Sequence, residues 1–279
     1  MKTILKKILN KQVIAIALMS LMMYNCSKVP ITGRKRVNFI SDAKILPTSF
    51  AQYTGFLATH ALSADVAKSN QIKEIGARIS QAVDRYLRAN GFSKEADSYR
   101  WEFNLVEDKT INAWCMPGGK VVFYTGILPI AANEDGIAAI MGHEVAHAFA
   151  KHGQERMSTG TIAQAAGGIT QIVTGMTIKD PRKRAIFNQA YGLGSQLGML
   201  SFSRKHETEA DELGQIFMMM AGYNGKEASQ VWVRMSQRAG ASQAPPEFMS
   251  THPSNASRIE NLKAYYPKAK VLAKKFNAQ

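Results

Sequence analysis

Residues 133–150, with the sequence NEDGIAAIMGHEVAHAFA, decide the fold, because they combine a long helical pattern with chemically active side chains. Glu134 and Asp135 fall in the first turn, where the positive end of the helix dipole favours acids. Apolar side chains recur at helical spacing: Ile137, Ile140, Met141, Val145 and Phe149. We therefore predict a helix that packs against the core and carries a His-Glu-x-x-His sequence.

His143, Glu144 and His147 make up that sequence. Residues four apart on a helix lie about 40° apart in projection, so the two histidines face the same side. Two neutral imidazoles in this arrangement can bind one tetrahedral zinc ion. Glu144 lies about 100° round the helix from His143, where a general base can take a proton from zinc-bound water. The sequence therefore predicts one zinc ion per chain and hydrolysis at a carbonyl carbon.

The third zinc ligand is not the histidine of a metzincin. That class needs a histidine six residues after His147 and a glycine three residues after it, where this chain has Gly153 and Ala150. His152 lies nearby, and we interpret it as a helix-end residue close to the negative end of the helix dipole. We therefore expect the third ligand from another part of the chain.

Glu207 is the better candidate for this ligand. Glu207 and Asp211 are four residues apart on a predicted helix over residues 203–221, so both face one side. One of them can bind zinc while the other accepts the free ring N–H of a zinc-bound histidine and fixes its tautomer. Glu209 projects about 200° from Glu207, and we expect it to be solvated. The simpler alternative is a surface ion pair between Glu207 and a nearby basic residue.

Two strand-like runs and further helical patterns make up the rest of the chain. Helical periodicity runs through residues 67–87. Residues 100–107 and 120–125 are typical of strands, and the turn sequence Met116–Gly119 suggests an antiparallel hairpin or an edge pair. Residues 160–198 are rich in Gly, Ala, Gln and Thr and could form a helical hairpin or a mobile lid. We predict an α+β fold, predominantly helical, with a small sheet beside the metal-binding helix.

The N-terminus is typical of an export signal. Four lysines among the first eleven residues flank the start of an apolar run over residues 13–23. This run is shorter than the roughly 20 residues of a membrane-spanning helix but suits the core of a signal peptide. Cys26 follows, as in bacterial lipoproteins, although Asn25 stands where those usually have Gly or Ala. We predict a signal peptide over residues 1–25 and a lipidated tether over residues 26–40, the alternatives being an uncleaved anchor or plain secretion.

The formal net charge of +14 would attract nucleic acid, anionic lipid or acidic polymers. No zinc-finger spacing, helix-turn-helix signature or aromatic RNA-binding stretch occurs, so we expect no nucleic-acid partner. Membrane proximity is the better explanation, because the N-terminus supports it independently. Lipidation would consume Cys26 and leave Cys115 as the remaining cysteine, so we expect no intramolecular disulfide.

Four sequence blocks together resemble one family of enzymes. The blocks are HEVAH at 143–147, SRKHETEAD at 203–211, Asn-Ala-Trp with Pro-Gly-Gly within 112–119, and Ser-Thr-His-Pro at 250–253 followed by Arg258. They resemble the gluzincin zinc metallopeptidases, which include the CAAX prenyl proteases, the heat-shock protease HtpX, the mitochondrial Oma protease and the bacterial outer-membrane protease BepA. The resemblance extends over residues 30–266 and is greatest to the soluble, lipid-anchored bacterial branch. It implies a zincin-like metallopeptidase domain over residues 41–279.

The resemblance also implies the zinc site. Its zinc ligands would be His143, His147 and Glu207, with Glu144 as the general base. Asp211 would lie behind one of the zinc-bound histidines and orient it.

Other matching positions would act on the substrate. Asn112, Ala113 and Trp114 would line the cleft, where an edge strand pairs with an extended peptide. His252 could donate to the oxyanion, occupy the open position of zinc and keep the enzyme latent, or only cap a loop. Arg258 could stabilise the oxyanion or pair with a carboxylate.

Two functions remain open at this point. The first is a zinc-dependent endopeptidase that acts on misfolded or stalled polypeptides in the bacterial cell envelope. It would be a lipid-anchored protein that faces the periplasm at the outer membrane. The second is a zinc-bearing envelope chaperone or assembly factor with latent proteolysis, which a blocking His252 and a lid over residues 160–198 would suit.

Overall fold

The computed structural model describes residues 26–159, 202–240, 248–249, 252 and 256–279. The predicted signal peptide and the Gly-rich segment 160–198 lie outside these residues. The chain divides into two compact units, one with Met1–Ser41 and Gln154–Gly192 and the other with Asp42–Gly153 and Leu193–Gln279. We call them the smaller and the larger unit.

The smaller unit contains a short hairpin where the sequence predicts a tether. Strand β1 (Cys26–Lys28) pairs antiparallel with β2 (Lys35–Val37). The turn between them places Gly33 at a φ of +69°, a left-handed conformation that glycine adopts without strain. Arg34 in this turn donates two hydrogen bonds, of 2.9 and 2.7 Å, to the carboxylate of Glu155. These bonds tie the turn to a helical segment within the same unit.

The larger unit is predominantly helical, which confirms the predicted α+β class. Long helices are joined by two helices of four residues each, and a 3₁₀ turn covers Thr125–Ile127. The helices are α1 (Asp42–Thr59), α2 (Val66–Ala89), α3 (Ser93–Ala96), α4 (Leu128–Ala131), α5 (Glu134–Phe149), α6 (Arg204–Met220), α7 (Glu227–Gly240) and α8 (Ala256–Asn277). No helix in the described part of the chain is long and apolar enough to cross a membrane.

A three-stranded sheet lies beside α5, as the sequence predicts, but its topology differs from the predicted hairpin. Strand β5 (Lys120–Tyr124) pairs in parallel with β3 (Glu102–Val106) and antiparallel with β4 (Ala113–Met116), so the order is β3-β5-β4. The antiparallel prediction for the first and last of these runs is wrong, because the turn after Met116 joins β4 to β5. Gly118 and Gly119 give this turn its positive φ angles of +85° and +86°.

Helix α5 forms the centre of the larger unit. Every residue from Gly136 to Phe149 is buried, because α2, α6, α7 and β4 pack around the helix. Helices α5 and α6 approach most closely at two glycines: a Cβ on Gly142 would lie 2.6 Å from the carbonyl oxygen of Gly214. This close approach brings side chains on α5 within reach of those on α6.

Candidate metal centre

The two helices that carry the site begin at well-defined caps. The side chain of Asn133 accepts a hydrogen bond of 2.8 Å from the N–H of Gly136 at the start of α5. The hydroxyl of Ser203 accepts one of 3.3 Å from the N–H of His206 at the start of α6. Both caps satisfy amides that have no partner within the helix. The predicted starts of the two helices are therefore confirmed.

Four buried side chains converge on one point: His143, His147, Glu207 and His252 each offer a ligand atom, all within 4.8 Å of one another. The Nε2 atom of His143 lies 3.1 Å from Nε2 of His147 and 3.4 Å from the Glu207 carboxylate. His147 lies 3.5 Å from the same carboxylate. The structure thus brings together the two helical histidines and the glutamate that the sequence selects.

The orientation of His143 is fixed by a carboxylate. Its Nδ1 atom lies 3.0 Å from Oδ1 of Asp211. Because a carboxylate only accepts hydrogen bonds, Nδ1 carries the ring proton and Nε2 presents a lone pair to the centre. Burial alone would lower the pKa of His143, but hydrogen bonds to Asp211 and Glu207 raise it above its usual value.

Arg258 holds the two carboxylates of α6 in place. Its Nε and Nη2 atoms donate hydrogen bonds of 2.8 and 2.6 Å to Asp211, and its Nη1 atom lies 2.7 Å from Glu207. The guanidinium also lies 3.6 Å from the ring centroid of Trp232. Against the cost of burial, Arg258 helps to hold the pKa of Asp211 below its usual value. Of the two alternatives for Arg258, the structure therefore shows the carboxylate pairing.

His147 is oriented by a different kind of partner. Its Nδ1 atom lies 2.9 Å from Nδ1 of His152, whose Nε2 atom lies 2.9 Å from the carboxylate of Glu209. His152 follows the end of α5, as expected, but both His152 and Glu209 are buried, so the expectation of a solvated Glu209 is wrong. The reason is a left-handed residue after α5: Lys151 has a φ of +55°, which turns His152 back towards the site.

This geometry fits a zinc ion. Two ligand atoms about 2.05 Å from a tetrahedral ion lie about 3.4 Å apart, and the measured separations between His143, His147 and Glu207 are 3.1 to 3.5 Å. His143 presents a lone pair to the same point as the Glu207 carboxylate. Close acceptors of this kind repel one another unless a cation lies between them. Two imidazoles and a carboxylate are also a donor set that zinc prefers.

Glu144 lies at the edge of this group. Its side chain is buried, and burial raises its pKa to about 7. The backbone of Cys115, in strand β4, and His252, whose Nε2 lies 3.5 Å from the carboxylate, act against this rise in pKa. A carboxylate with a pKa near neutrality is suited to accept and return a proton during a reaction.

His252 completes the group from a third direction. Its Nδ1 atom lies 3.2 Å from Nε2 of His143 and 3.2 Å from Oε1 of Glu207. Those distances match the separations among the other three ligands. The structure thus adds His252 to the side chains that could hold a metal ion.

Of the predicted cleft residues, Ala113 and Trp114 lie on strand β4, an edge strand of the described sheet, and Asn112 immediately precedes it. The Asn112 side chain accepts a hydrogen bond of 2.9 Å from the N–H of Ala113. The ring of Trp114 points into the core, where its Nε1 atom lies 3.2 Å from the hydroxyl of Tyr124. The Trp114 ring therefore packs in the core, while the backbone of β4 forms an edge of the described sheet.

Comparisons with known proteins agree with this site. The model of peptidase family M48 matches residues 74–266. The chain is 34% identical over 255 residues to the mitochondrial metalloendopeptidase OMA1 of Saccharomyces cerevisiae, covering 87% of this chain and 69% of that protein. It is 27% identical over 169 residues to the beta-barrel assembly-enhancing protease of Escherichia coli, covering 58% of this chain and 34% of that protein.

Coverage differs among the curated relatives. The chain spans 53% of the Schizosaccharomyces pombe OMA1 protein and 35% of the putative beta-barrel assembly-enhancing protease of Vibrio cholerae. The family match itself extends over more than half of this chain and includes the metal-binding residues of α5 and α6. The chain therefore belongs to peptidase family M48 and is a zinc metalloendopeptidase.

Proposed function

We propose that this protein cleaves misfolded or stalled polypeptides in the bacterial cell envelope. The observation that carries the catalytic part is the convergence of His143, His147 and Glu207 beside the buried Glu144. Three protein ligands are what a catalytic zinc site uses, since the fourth position is needed for water or substrate. The envelope part rests on the export-signal pattern and on the names of the bacterial relatives.

Strand β4 offers a way to bind unfolded chains of any sequence. Asn112 lies opposite Tyr124 in a hydrogen-bonded pair, so the backbone groups of Ala113 and Cys115 point away from β5, and of these the Ala113 N–H donates to the Asn112 side chain. An extended peptide can add to such an edge, and main-chain hydrogen bonds then supply affinity without sequence preference. This type of binding suits an enzyme that removes misfolded proteins.

The proposed roles of the residues follow from the geometry. A bound zinc ion would polarise the substrate carbonyl and acidify water. Glu144 would take the proton that is released and transfer it to the leaving amine. The Cys115 backbone, on the edge strand along which the peptide would lie, is next to the Glu144 carboxylate.

Replacing Glu144 tests the catalytic role. We expect Glu144→Gln to reduce casein cleavage in the presence of zinc by about 10²–10⁴-fold, because the base is lost. Bound zinc should stay at one ion per chain, since Glu144 is not a proposed ligand. The exposed Glu260 on α8 provides the control, and Glu260→Gln should cleave casein normally. Unchanged cleavage by Glu144→Gln would contradict the proposal.

The envelope location has a separate test. If Cys26 carries a lipid, Cys26→Ser should move the protein from the membrane fraction to the soluble periplasmic fraction. Replacing the other cysteine, Cys115→Ser, should leave the fractionation unchanged. Tight membrane association of Cys26→Ser would rule out lipidation as the anchor.

His252 favours a second candidate function, a zinc-bearing chaperone or assembly factor with latent proteolysis. Its position 3.2 Å from both His143 and Glu207 would close the fourth zinc position to substrate. On this model, His252→Ala should increase cleavage and change the visible spectrum of the cobalt-substituted protein. If cleavage and the spectrum both stay as in the wild type, His252 does not block the metal.

A further inference from the structure

A buried chain of hydrogen-bonding groups leads away from the zinc site on the side of His147. His152 lies at its centre, with 0% exposure. The two Nδ1 atoms of His152 and His147 are 2.9 Å apart, and the far side of His152 contacts the Glu209 carboxylate, also at 2.9 Å. None of these contacts involves the reacting atoms. They therefore call for an explanation other than direct catalysis.

The order of the protons follows from the chemistry of the three groups. The Glu209 carboxylate accepts, so Nε2 of His152 carries a proton. In a neutral imidazole the other nitrogen is then an acceptor, and it faces Nδ1 of His147. His147 must therefore donate from Nδ1, which leaves its Nε2 lone pair directed at the zinc position. The chain of contacts selects the one tautomer of His147 that can bind the metal.

Aromatic contacts hold both rings in the plane that this arrangement needs. The ring of Phe202 stacks on His147 with 4.0 Å between centroids and 27° between planes. The ring of His206 stacks on His152 at 4.4 Å and 20°. Phe202 and His206 lie at the start of α6, close to the ligand Glu207. Residues 202–207 thus supply the ligand Glu207 and also pack against the rings of His147 and His152.

We propose that His152 and Glu209 are positioning residues of the zinc site, which fix the tautomer and the ring orientation of His147. The inference rests on the zinc site of the proposed protease and does not depend on its substrate or location. Partners behind a zinc-bound histidine typically change metal affinity by about 10–100-fold when they are lost. A carboxylate commonly contacts such a histidine directly, whereas here an imidazole lies between them.

Zinc affinity, measured by competition with a chromophoric chelator, tests the proposal without any need for cleavage. We expect His152→Leu to weaken zinc binding about 10–100-fold, because it removes the acceptor for His147. His152→Asn should restore much of the affinity, because its amide oxygen can take the position of Nδ1. Glu209→Gln should fall between the wild type and His152→Leu. The control is His60→Leu, which replaces a histidine directly after α1 that is not a proposed ligand. It should leave zinc affinity unchanged.

A spectroscopic measurement gives the second readout. In long-range ¹H–¹⁵N spectra of the zinc-loaded protein, we expect a proton on Nδ1 of His147 and on Nε2 of His152. The opposite tautomers would overturn the proposal. So would equal zinc affinity of the wild type and His152→Leu with a lower melting temperature, since that result indicates a structural role only. If His152→Leu fails to fold, His152→Asn and Glu209→Gln decide the question by affinity. Zinc binding that follows this series would support the positioning role even if the wild-type protein did not cleave casein.

Discussion

The two helical histidines of the zinc site are supported in different ways. His143 contacts the Asp211 carboxylate directly, and Arg258 pairs with that carboxylate from the other side. On the side away from the zinc position, Nδ1 of His147 reaches a carboxylate only through the ring of His152. On the Nδ1 side, a carboxylate therefore contacts His143 directly, whereas one imidazole ring separates the carboxylate from His147.

The difference shows how a buried site can orient two ligands without collecting excess charge. Burial lowers the pKa of His147 well below its usual value, so this ring is neutral and ready to bind metal. Carboxylates raise the pKa of His143 instead, which makes it the more basic of the two. A second carboxylate in direct contact with His147 would add another charge that needs a partner in the interior. A neutral imidazole between His147 and the Glu209 carboxylate avoids the need for such a partner next to the metal site.

Removing Arg258 should have the largest effect, because Arg258 pairs both with Asp211 behind His143 and with the shared ligand Glu207. Arg258→Ala leaves the carboxylates of Glu207 and Asp211 buried without their cation, at a cost of about 3–5 kcal/mol. We expect the loss in melting temperature to be smaller with zinc than without, because the metal compensates for part of the missing positive charge. Scanning calorimetry of both forms measures this difference. Arg238→Ala, an exposed arginine on α7, is the control.

A loss of equal size in both forms would show that Arg258 acts mainly through its packing on Trp232 rather than through charge. The difference between the His143 and His147 sides would then come from packing rather than from charge. Glu209→Gln should be milder than Arg258→Ala under the same conditions, because glutamine keeps a hydrogen-bond acceptor for His152.

Separating the two helices should affect both sides of the site together. A Cβ on Gly214 would lie 2.7 Å from the backbone nitrogen of His143, so Gly214→Ala must push α6 away from α5. We expect a loss of about 1–3 kcal/mol from overpacking, and weaker zinc binding because Glu207 moves away from both histidines. Gly55→Ala on α1, where a Cβ meets nothing within 4 Å, is the matched control and should be neutral or slightly stabilising.

An unchanged zinc affinity in Gly214→Ala would contradict the idea that the glycine contact sets the ligand spacing. Denaturant titration and chelator competition on the same sample separate the two effects. The first reports overpacking and the second reports ligand position.

How much of this site can be read from the sequence depends on whether the contact lies within one helix. The spacing of four residues between His143 and His147, and between Glu207 and Asp211, places each pair on one face, and the structure brings these faces together. The contact between His152 and Glu209 cannot be found in this way. It depends on a left-handed residue after α5 and on the packing of α5 against α6.

The sheet shows the same limit. Residues 102–106 and 120–124 have clear strand character, so the sequence identifies both as strands. It gives no information on their direction, because pairing in parallel depends on the four-residue strand β4 between them. That strand is too short for an alternating pattern to stand out. The turn sequence at Pro117–Gly119 was the one signal for this strand, because a tight turn there pairs the residues just before it with β5.

The helix caps provide the smallest and most selective comparison. Asn133 caps α5 about 15 Å along the helix from His143, whereas Ser203 caps α6 next to Phe202, which stacks on His147. Replacing either cap by alanine should cost about 1 kcal/mol, measured by denaturant titration. Only Ser203→Ala should also weaken zinc binding, by a few-fold, because fraying of the first turn of α6 releases the Phe202 ring from His147. Equal zinc affinities in the two variants would show that the stacking of Phe202 on His147 does not depend on the cap.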